Sequence, residues 1–326
     1  MILKSIIMKN KNINFNFSKC LALAPMFGYT NFAFRDLVGR LGADLTFSEF
    51  INAKSLTHLK HEQLFNLLKV PSSSFSGIQL FGSSPDDFKE AFKTISVFLE
   101  SGLSDIKFID LNLGCPAQKI TRIGAGASLL ENTENLKKIA KVFAKHCPVL
   151  YSAKIRLVNS QEQFFRLLKV FEENNFSFIT IHARTKNDKF SNKARHEFFE
   201  NLKHKFNFKI FINGDISSPQ LANYFLDLGF DGVMIGRAAL LNPFIFMQIK
   251  SYLSTKSYKP TLLSDKISFY YSYLGLLSSK KDLVYAKKLG TKLFRGFKNA
   301  KDFRLLISKT NSLDDLKELI SSFIVL

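Results

Sequence analysis

Residues Asp110–Leu130 read DLNLGCPAQKITRIGAGASLL. An apolar run from Phe108 to Leu113 ends in Gly114-Cys115-Pro116, a glycine-rich basic loop follows, and a helical pattern begins after it. This is the pattern of a buried strand delivering a polar tip and a lone thiol into a loop, where α/β enzymes mount their chemistry. A free cysteine is most often a small buried hydrophobe. Asn112 before Cys115, and Lys119 and Arg122 after it, shift the reading towards function.

Outward from this stretch, short apolar runs alternate with longer amphipathic ones. Candidate strands are 20–24, 44–48, 77–80, 108–113, 149–155, 178–182, 210–213 and 232–235. Helix-like segments lie between them at 31–41, 55–68, 85–99, 131–145, 160–173, 195–205 and 218–228. Ser84-Pro85 and Ser218-Pro219 place a capping residue before a first-turn proline, a good helix start. Eight evenly spaced buried strands over about 230 residues predict a TIM (β/α)8 barrel in preference to a doubly wound open sheet. Gly124-Ala-Gly126 lacks the third glycine and the acidic residue of a dinucleotide fingerprint.

The ends of these strands are polar. Pro25-Met26 follows the first and Gln79 lies in the third. Asn112 and Cys115 close the fourth, Lys154 and Arg156 the fifth, and His182 and Arg184 the sixth. Asn213-Gly214-Asp215 and Gly236-Arg237 close the last two. Burying such groups unpaired costs several kcal/mol, and in a barrel all these ends converge on one face, the face of the active site. Gly214 and Gly236, with Arg237, suit a bound phosphate, since loops after strands seven and eight are the usual phosphate site of such barrels.

After Asn242-Pro243 the pattern changes. Residues 1–19 read as an N-terminal extension, 20–250 as the barrel, 251–264 as a polar linker and 265–326 as a small all-helical domain. Lys281, Lys288, Lys292 and Arg295 share one helical face, opposite Leu283, Ala286, Leu289, Leu293, Phe294 and Phe297. Ten basic and two acidic residues lie between Lys280 and Lys309, a track for a nucleic-acid backbone. A second basic cluster runs from Arg184 to Lys209. The net charge is +19, but lysine dominates arginine and there are 35 phenylalanines and no tryptophan, so compositional bias inflates part of that total. Three widely spaced cysteines indicate neither a disulfide framework nor a metal cluster. The start is a poor signal peptide and no stretch reaches transmembrane length, so a cytoplasmic protein is expected.

Several segments carry a resemblance. They are Leu23-Ala-Pro-Met-Phe-Gly-Tyr-Thr30 with Phe34-Arg35, Gln79-Leu-Phe-Gly82, Asp110-Leu-Asn-Leu-Gly-Cys-Pro116 and Lys119 to Leu130. Lys154-Ile-Arg-Leu157, Ile181-His-Ala-Arg-Thr185, Asn213-Gly-Asp-Ile216 and Gly232-Val-Met-Ile-Gly-Arg237 complete the set. Together the sequence resembles the tRNA-dihydrouridine synthases, most closely the bacterial B-like branch. The resemblance implies an FMN-bearing barrel that reduces a uridine of tRNA with NADPH (or NADH); a monomer with no metal is expected, and no protein partner is implied. It places Pro25, Met26 and Phe27 beside the flavin, Gln79 in hydrogen bonding to its ring, and Lys154 at its N1/C2 edge. His182 matches a flavin-site histidine. Asn213, Gly214, Asp215, Gly236 and Arg237 would hold the ribityl phosphate, and Cys115 would be the proton donor. Asn112 becomes a candidate to orient the base, and Lys119, Arg122, Arg184, Lys288, Lys292 and Arg295 become candidates for RNA contact.

The residue types suit that chemistry. Hydride addition at C6 of uracil leaves charge on C5 and the C4 oxygen, and a proton must then reach C5. Thiols ordinarily titrate near ~8.5, so they are mostly protonated at neutral pH yet donate readily. The simplest alternative for Lys154 is an internal ion pair with Asp110 or Asp215. The alternative functions are a flavin barrel reducing a free pyrimidine, and a non-catalytic RNA-binding protein. The sequence departs from the family pattern at Asn31 (aspartate expected), at Asn192 and His196 (glycine and tryptophan), and at Lys292-Leu293 (an aromatic pair).

Overall fold

The computed structural model describes residues 15–188, 192–202, 205–296 and 299–322. Most of the N-terminal extension, Phe297, and parts of the second basic cluster and of the C-terminal region therefore lie outside the described residues. Eight parallel strands close a barrel in sequence order: β1 Cys20–Leu23, β2 Leu45–Asn52, β3 Phe75–Phe81, β4 Phe108–Leu113, β5 Leu150–Leu157, β6 Phe178–Thr185, β7 Lys209–Asn213 and β8 Gly232–Ile235. β8 pairs with β1 to complete the ring.

Alternation along each strand explains both the core and the site. In β4, Ile109, Leu111 and Leu113 join the apolar layer beneath the helices, while Phe108 belongs to a separate cluster with Phe47, Phe178, Phe211 and Met234. Asp110 and Asn112 follow Phe108 at the two-residue period, so the interior changes from aromatic to polar towards the strand ends. The rings demand small neighbours: a side chain at Gly77 would meet Phe108 at 2.5 Å, and one at Gly232 would meet Phe211 at 2.9 Å. Phe15 and Phe17 pack on this layer from the N-terminal side, Phe17 lying 5.3 Å from Phe178.

The helices start as their caps predict. Ser84 caps Pro85–Glu100 and Ser218 caps Pro219–Asp227, each hydroxyl accepting from an N3 amide. Two expected helices are shorter. Residues 55–68 split into a 3-10 turn (Ala53–Thr57) and a helix (His61–Leu68). There the Asn52, Ser55 and Thr57 side chains bond to nearby backbone and compete with helical pairing. Among the described residues of 195–205 there is one 3-10 segment, His196–Asn201, tied to the barrel by the Arg195 amide donating to the Ala183 carbonyl.

The stretch read as linker is partly helical. Helix Ile245–Thr255 runs five residues into it and ends at Lys256, whose φ is +56°. The Ser251, Ser254 and Thr255 hydroxyls bond to local carbonyls, so this polar composition serves a helix end. Four further helices follow: Leu263–Gly275, Asp282–Leu293, Ala300–Lys309 and Leu313–Ser321. Tyr270, Tyr273, Leu289, Leu293, Ile307 and Leu316 are buried in the same continuous apolar cluster as the barrel's outer layer. Asn31 helps join the two regions. Its carbonyl caps helix Phe32–Arg40 at the Phe34 amide, and its Nδ2 donates to the Tyr273 hydroxyl at 3.0 Å. An aspartate would keep the first bond but would have to accept from the Tyr273 hydroxyl where Asn31 donates to it.

Candidate active site

At the carboxyl ends of the strands lies a cavity of about 440 Å³. Its walls gather Pro25, Met26, Phe27, Gln79, Asn112, Cys115, Lys154, His182, Arg184, Asn213, Gly214, Asp215, Gly236 and Arg237, with Lys292 reaching in from helix Asp282–Leu293. Residues from most strand ends thus face one space, as closure of the barrel requires. Lys119 and Arg122 are exposed beyond the Cys115 loop.

A buried relay positions the thiol. Ser152 Oγ donates to Asp110 Oδ1 at 2.6 Å, and Gln79 Nε2 donates to Asp110 Oδ2 at 2.8 Å. Asn112 Nδ2 donates to Gln79 Oε1 at 2.7 Å, and Asn112 Oδ1 accepts from the Gly114 and Cys115 amides at 3.2 and 3.0 Å. Asp110 is wholly buried, and burial pushes its carboxyl up to about 6 against the opposing effects of Ser152, Gln79 and Lys154. Asn112, expected to orient a base, therefore spends its carbonyl on the Cys115 turn. Gln79 has committed its oxygen and one amide proton to the relay. Arg156 braces the same turn, its Nε donating to the Gly114 carbonyl at 2.8 Å. The alanine amide at 127 closes the turn by donating to the Cys115 carbonyl, and a side chain at Gly126 would collide with that oxygen at 2.7 Å.

Lys154 lies opposite Asn112 in register on β5. Burial, reinforced by Arg156, lowers its ammonium to about 8, against the pull of Asp110 and Cys115. Among the described residues Lys154 forms no ion pair with either suspected carboxylate. Asp110 is bonded within the relay, and Asp215 is held by two arginines: Arg184 Nη2 reaches Asp215 Oδ2 at 2.5 Å and Arg237 Nη2 reaches Asp215 Oδ1 at 2.6 Å.

Arg184, expected to contact RNA, is instead an interior residue at 1% exposure. Its Nε donates to the Asn192 carbonyl at 3.0 Å and its Nη1 to His182 Nε2 at 3.2 Å. A guanidinium can only donate, so His182 accepts through Nε2 and carries its proton on Nδ1. Burial first, then Lys154, Arg156, Arg184 and Arg237, drives His182 down to about 2, so the ring is neutral.

The phosphate-type loops are built as the glycines indicated. Gly214 has φ +121°, and a side chain there would press on Ala194 and His182 at 3.1 Å. Asn213 Nδ2 donates to the Met234 carbonyl at 2.8 Å, locking β7 to β8 beside Gly236. His196 Nε2 donates to the Gly214 carbonyl at 2.7 Å, and its ring meets Phe225 edge-on. An indole could supply the same donor and the same edge contact, which accounts for histidine in a tryptophan position. The Asp215 carboxylate, bonded to both arginines and the Ala194 amide, can only accept. It organises the two arginines, so any contact Asp215 makes with a phosphate would come from its backbone N–H.

Sequence reading missed a second cavity of about 610 Å³, which shares Asp215, Arg237 and Lys292 with the first and adds Arg295. It also missed Glu49 and Tyr285. Glu49 Oε1 accepts from the Gly28 amide at 3.0 Å and Oε2 from the Tyr285 hydroxyl at 3.1 Å. Lys288 lies over that turn, since a side chain on Gly28 would stand 2.6 Å from its Nζ. The helix carrying Lys288 and Lys292 is therefore the rim of the cavity. Among the described residues no helix is long and apolar enough to cross a membrane.

Residues 22–324 match the family model described as "Dihydrouridine synthase (Dus)". A probable tRNA-dihydrouridine synthase of Helicobacter pylori is 30% identical over 320 residues, covering 95% of this chain and 94% of that one. The tRNA-dihydrouridine synthase B of Klebsiella pneumoniae is 34% identical over 245 residues, 74% of each chain. Among solved structures, a complex of 2-naphthoyl-CoA reductase superposes with a TM-score of 0.55 at 12% identity, over 82% of this chain and 55% of that one, a likeness of fold alone. With the family model matching residues 22–324, and with a 30% identical relative covering 95% of its length, the chain belongs to the dihydrouridine synthase family.

Proposed function

We propose that this protein reduces a uridine of tRNA to 5,6-dihydrouridine, with FMN as bound cofactor and NADPH or NADH as reductant. The observation that carries the reading is the single cavity in which a thiol, a buried lysine and a phosphate-type loop pair meet a cationic helix at the rim. The residues fit FMN. The cavity is of ligand size, Gly214 and Gly236 line it without side chains, and Arg237 supplies a cation. When bound, FMN supplies hydride to C6 of the uracil.

The chain's own residues do the rest. Asn112 and Arg156 hold the Cys115 turn, so its Sγ can deliver a proton to C5. Such general-acid help contributes roughly 10²–10⁴-fold. Lys154 places a positive charge in a low-dielectric wall, where it stabilises an anionic cofactor far better than it would in water. Neutral His182, held by Arg184, lines the cavity without adding charge. Arg237 can turn from Asp215 to a phosphate while Arg184 keeps Asp215 paired. Lys288, Lys292 and Arg295 grip the RNA backbone around a base lifted from its stack.

The test incubates purified protein with unmodified tRNA and NADPH, or NADH, and analyses the nucleosides by mass spectrometry. Yellow protein that forms dihydrouridine in tRNA is expected. Colourless protein that cannot be reconstituted with FMN, or reduction of free uridine alone, would overturn the reading.

A further inference from the structure

Among the residues of the first cavity, Phe27 stands apart. Pro25 and Met26 are half-buried against the barrel, but Phe27 is 65% exposed although it is a large apolar side chain. Its ring is not loose. Phe50 lies against it with centroids 5.0 Å apart and planes 19° from parallel, and Phe81 braces Phe50 edge-on at 5.4 Å. One face of Phe27 is thus supported while the other is left to solvent. The next residue, Gly28, has φ +80° and is pinned from below by Glu49. The Lys288 ammonium rests against Gly28, and Lys292 lines the same cavity. A supported, largely bare aromatic face beside cations, at the mouth of a cavity, is the arrangement that receives a nucleobase with its phosphates.

On the reading that the substrate is tRNA, we infer that Phe27, backed by Phe50, is a stacking platform for a nucleotide adjacent to the reduced uridine. Lifting a base from its stack leaves its neighbour with one uncovered face. Phe27 supplies a substitute surface at the cavity mouth, and Lys288 neutralises the adjoining phosphate. Phe27 then serves the RNA, whereas Met26 and Pro25 remain with the inner wall.

The test uses the flavin-loaded full-length protein, as wild type, Phe27→Ala and Phe27→Tyr. The product is first mapped in an unmodified tRNA transcript, and transcripts carrying an abasic site at each neighbour of the reduced uridine are then prepared. Affinity is read by fluorescence anisotropy and flavin content by absorbance. Phe27→Ala is expected to weaken binding of the intact transcript roughly 5- to 100-fold, and Phe27→Tyr to restore it. On one of the two abasic transcripts the Phe27→Ala penalty should vanish. Equal affinity of Phe27→Ala and wild type for the intact transcript overturns the proposal, as does a penalty that persists in full on both abasic transcripts. Loss of flavin with RNA affinity unchanged also overturns it, because Phe27 would then belong to the cofactor site. A wild-type protein that forms no dihydrouridine in tRNA defeats the functional reading separately, and the Phe27→Ala to wild-type affinity ratio on the intact transcript still decides the platform.

Discussion

The side-chain oxygen of Asn112 accepts the backbone N–H of Cys115 at 3.0 Å, so the thiol is held through the turn it sits on. Small misplacements of a reacting group can cost about 10²-fold. Asn112→Ala is expected to lower single-turnover dihydrouridine formation by roughly 10- to 100-fold with flavin content retained. Cys115→Ala should lose more, within the roughly 10²–10⁴-fold typical of a general acid. Unchanged turnover for Cys115→Ala would remove its assignment as proton donor.

The barrel was legible because closure needs only the count, spacing and burial of the strands, and β4 was read to the residue. Which side chains meet was less legible. Lys154 and Arg156 were visible as polar strand ends, but the bond from Arg156 to the Gly114 carbonyl depends on the register of β4 on β5. Periodicity does not specify register. Arg184 looked like part of a surface cluster because its sequence neighbours are basic, whereas its place on the inward period of β6 buries it. The role of Glu49 was hidden for a similar reason: its partner Tyr285 lies 236 residues away.

Asp215 joins buried Arg184 to partly exposed Arg237, and the two arginines should respond differently to change. Asp215→Asn leaves Arg184 without its counter-ion, and breaking such a pair is costly, here about 1–3 kcal/mol because Asp215 is one-third exposed. Arg237→Met should cost less stability and more FMN affinity. Thermal denaturation and flavin titration separate the two effects. The arginines hold the Asp215 carboxyl below its usual range. Its contribution is therefore present above the ordinary carboxylate range and is lost as pH falls through the depressed value. Wild type and Asp215→Asn should converge in stability in strong acid.

Lys154 carries a cost in the absence of a cofactor anion. Burial lowers its ammonium from 10.5 to about 8. Below pH 8 the folded chain bears the full penalty of a buried charge. Between about 8 and 10.5 the unfolded chain binds more protons, so the penalty fades as pH rises. Lys154→Met should therefore raise the Tm of flavin-free protein at pH 7 by about 2–4 °C, with a smaller gain at pH 9.5. On the proposed function the same variant should reduce tRNA roughly 10²–10³-fold more slowly, since it removes the charge assigned there to stabilising the reduced cofactor. A destabilised flavin-free variant at pH 7 would contradict this account.

The Glu49–Tyr285 hydrogen bond ties the turn that carries Phe27 to the helix that carries Lys288 and Lys292. Removing one such bond typically costs about 0.5–1.5 kcal/mol, so Tyr285→Phe should lower the Tm slightly. Its larger effect is expected on substrate binding: KM for tRNA rises several-fold while kcat and flavin content hold, because the cations at the rim lose their anchor. Burial raises the Glu49 carboxyl above its ordinary value, outweighing the Gly28 and Tyr285 bonds and the pull of Arg35. The native state thus binds this proton more tightly than the unfolded chain does, and stability from this group is lost as pH rises through the raised value. Glu49→Gln should accordingly be most damaging below the ordinary value of 4.5 and less so once pH has risen through the raised one, as measured by denaturation across that range. A Tyr285→Phe enzyme with wild-type KM for tRNA would show that the helix holds its place without this bond.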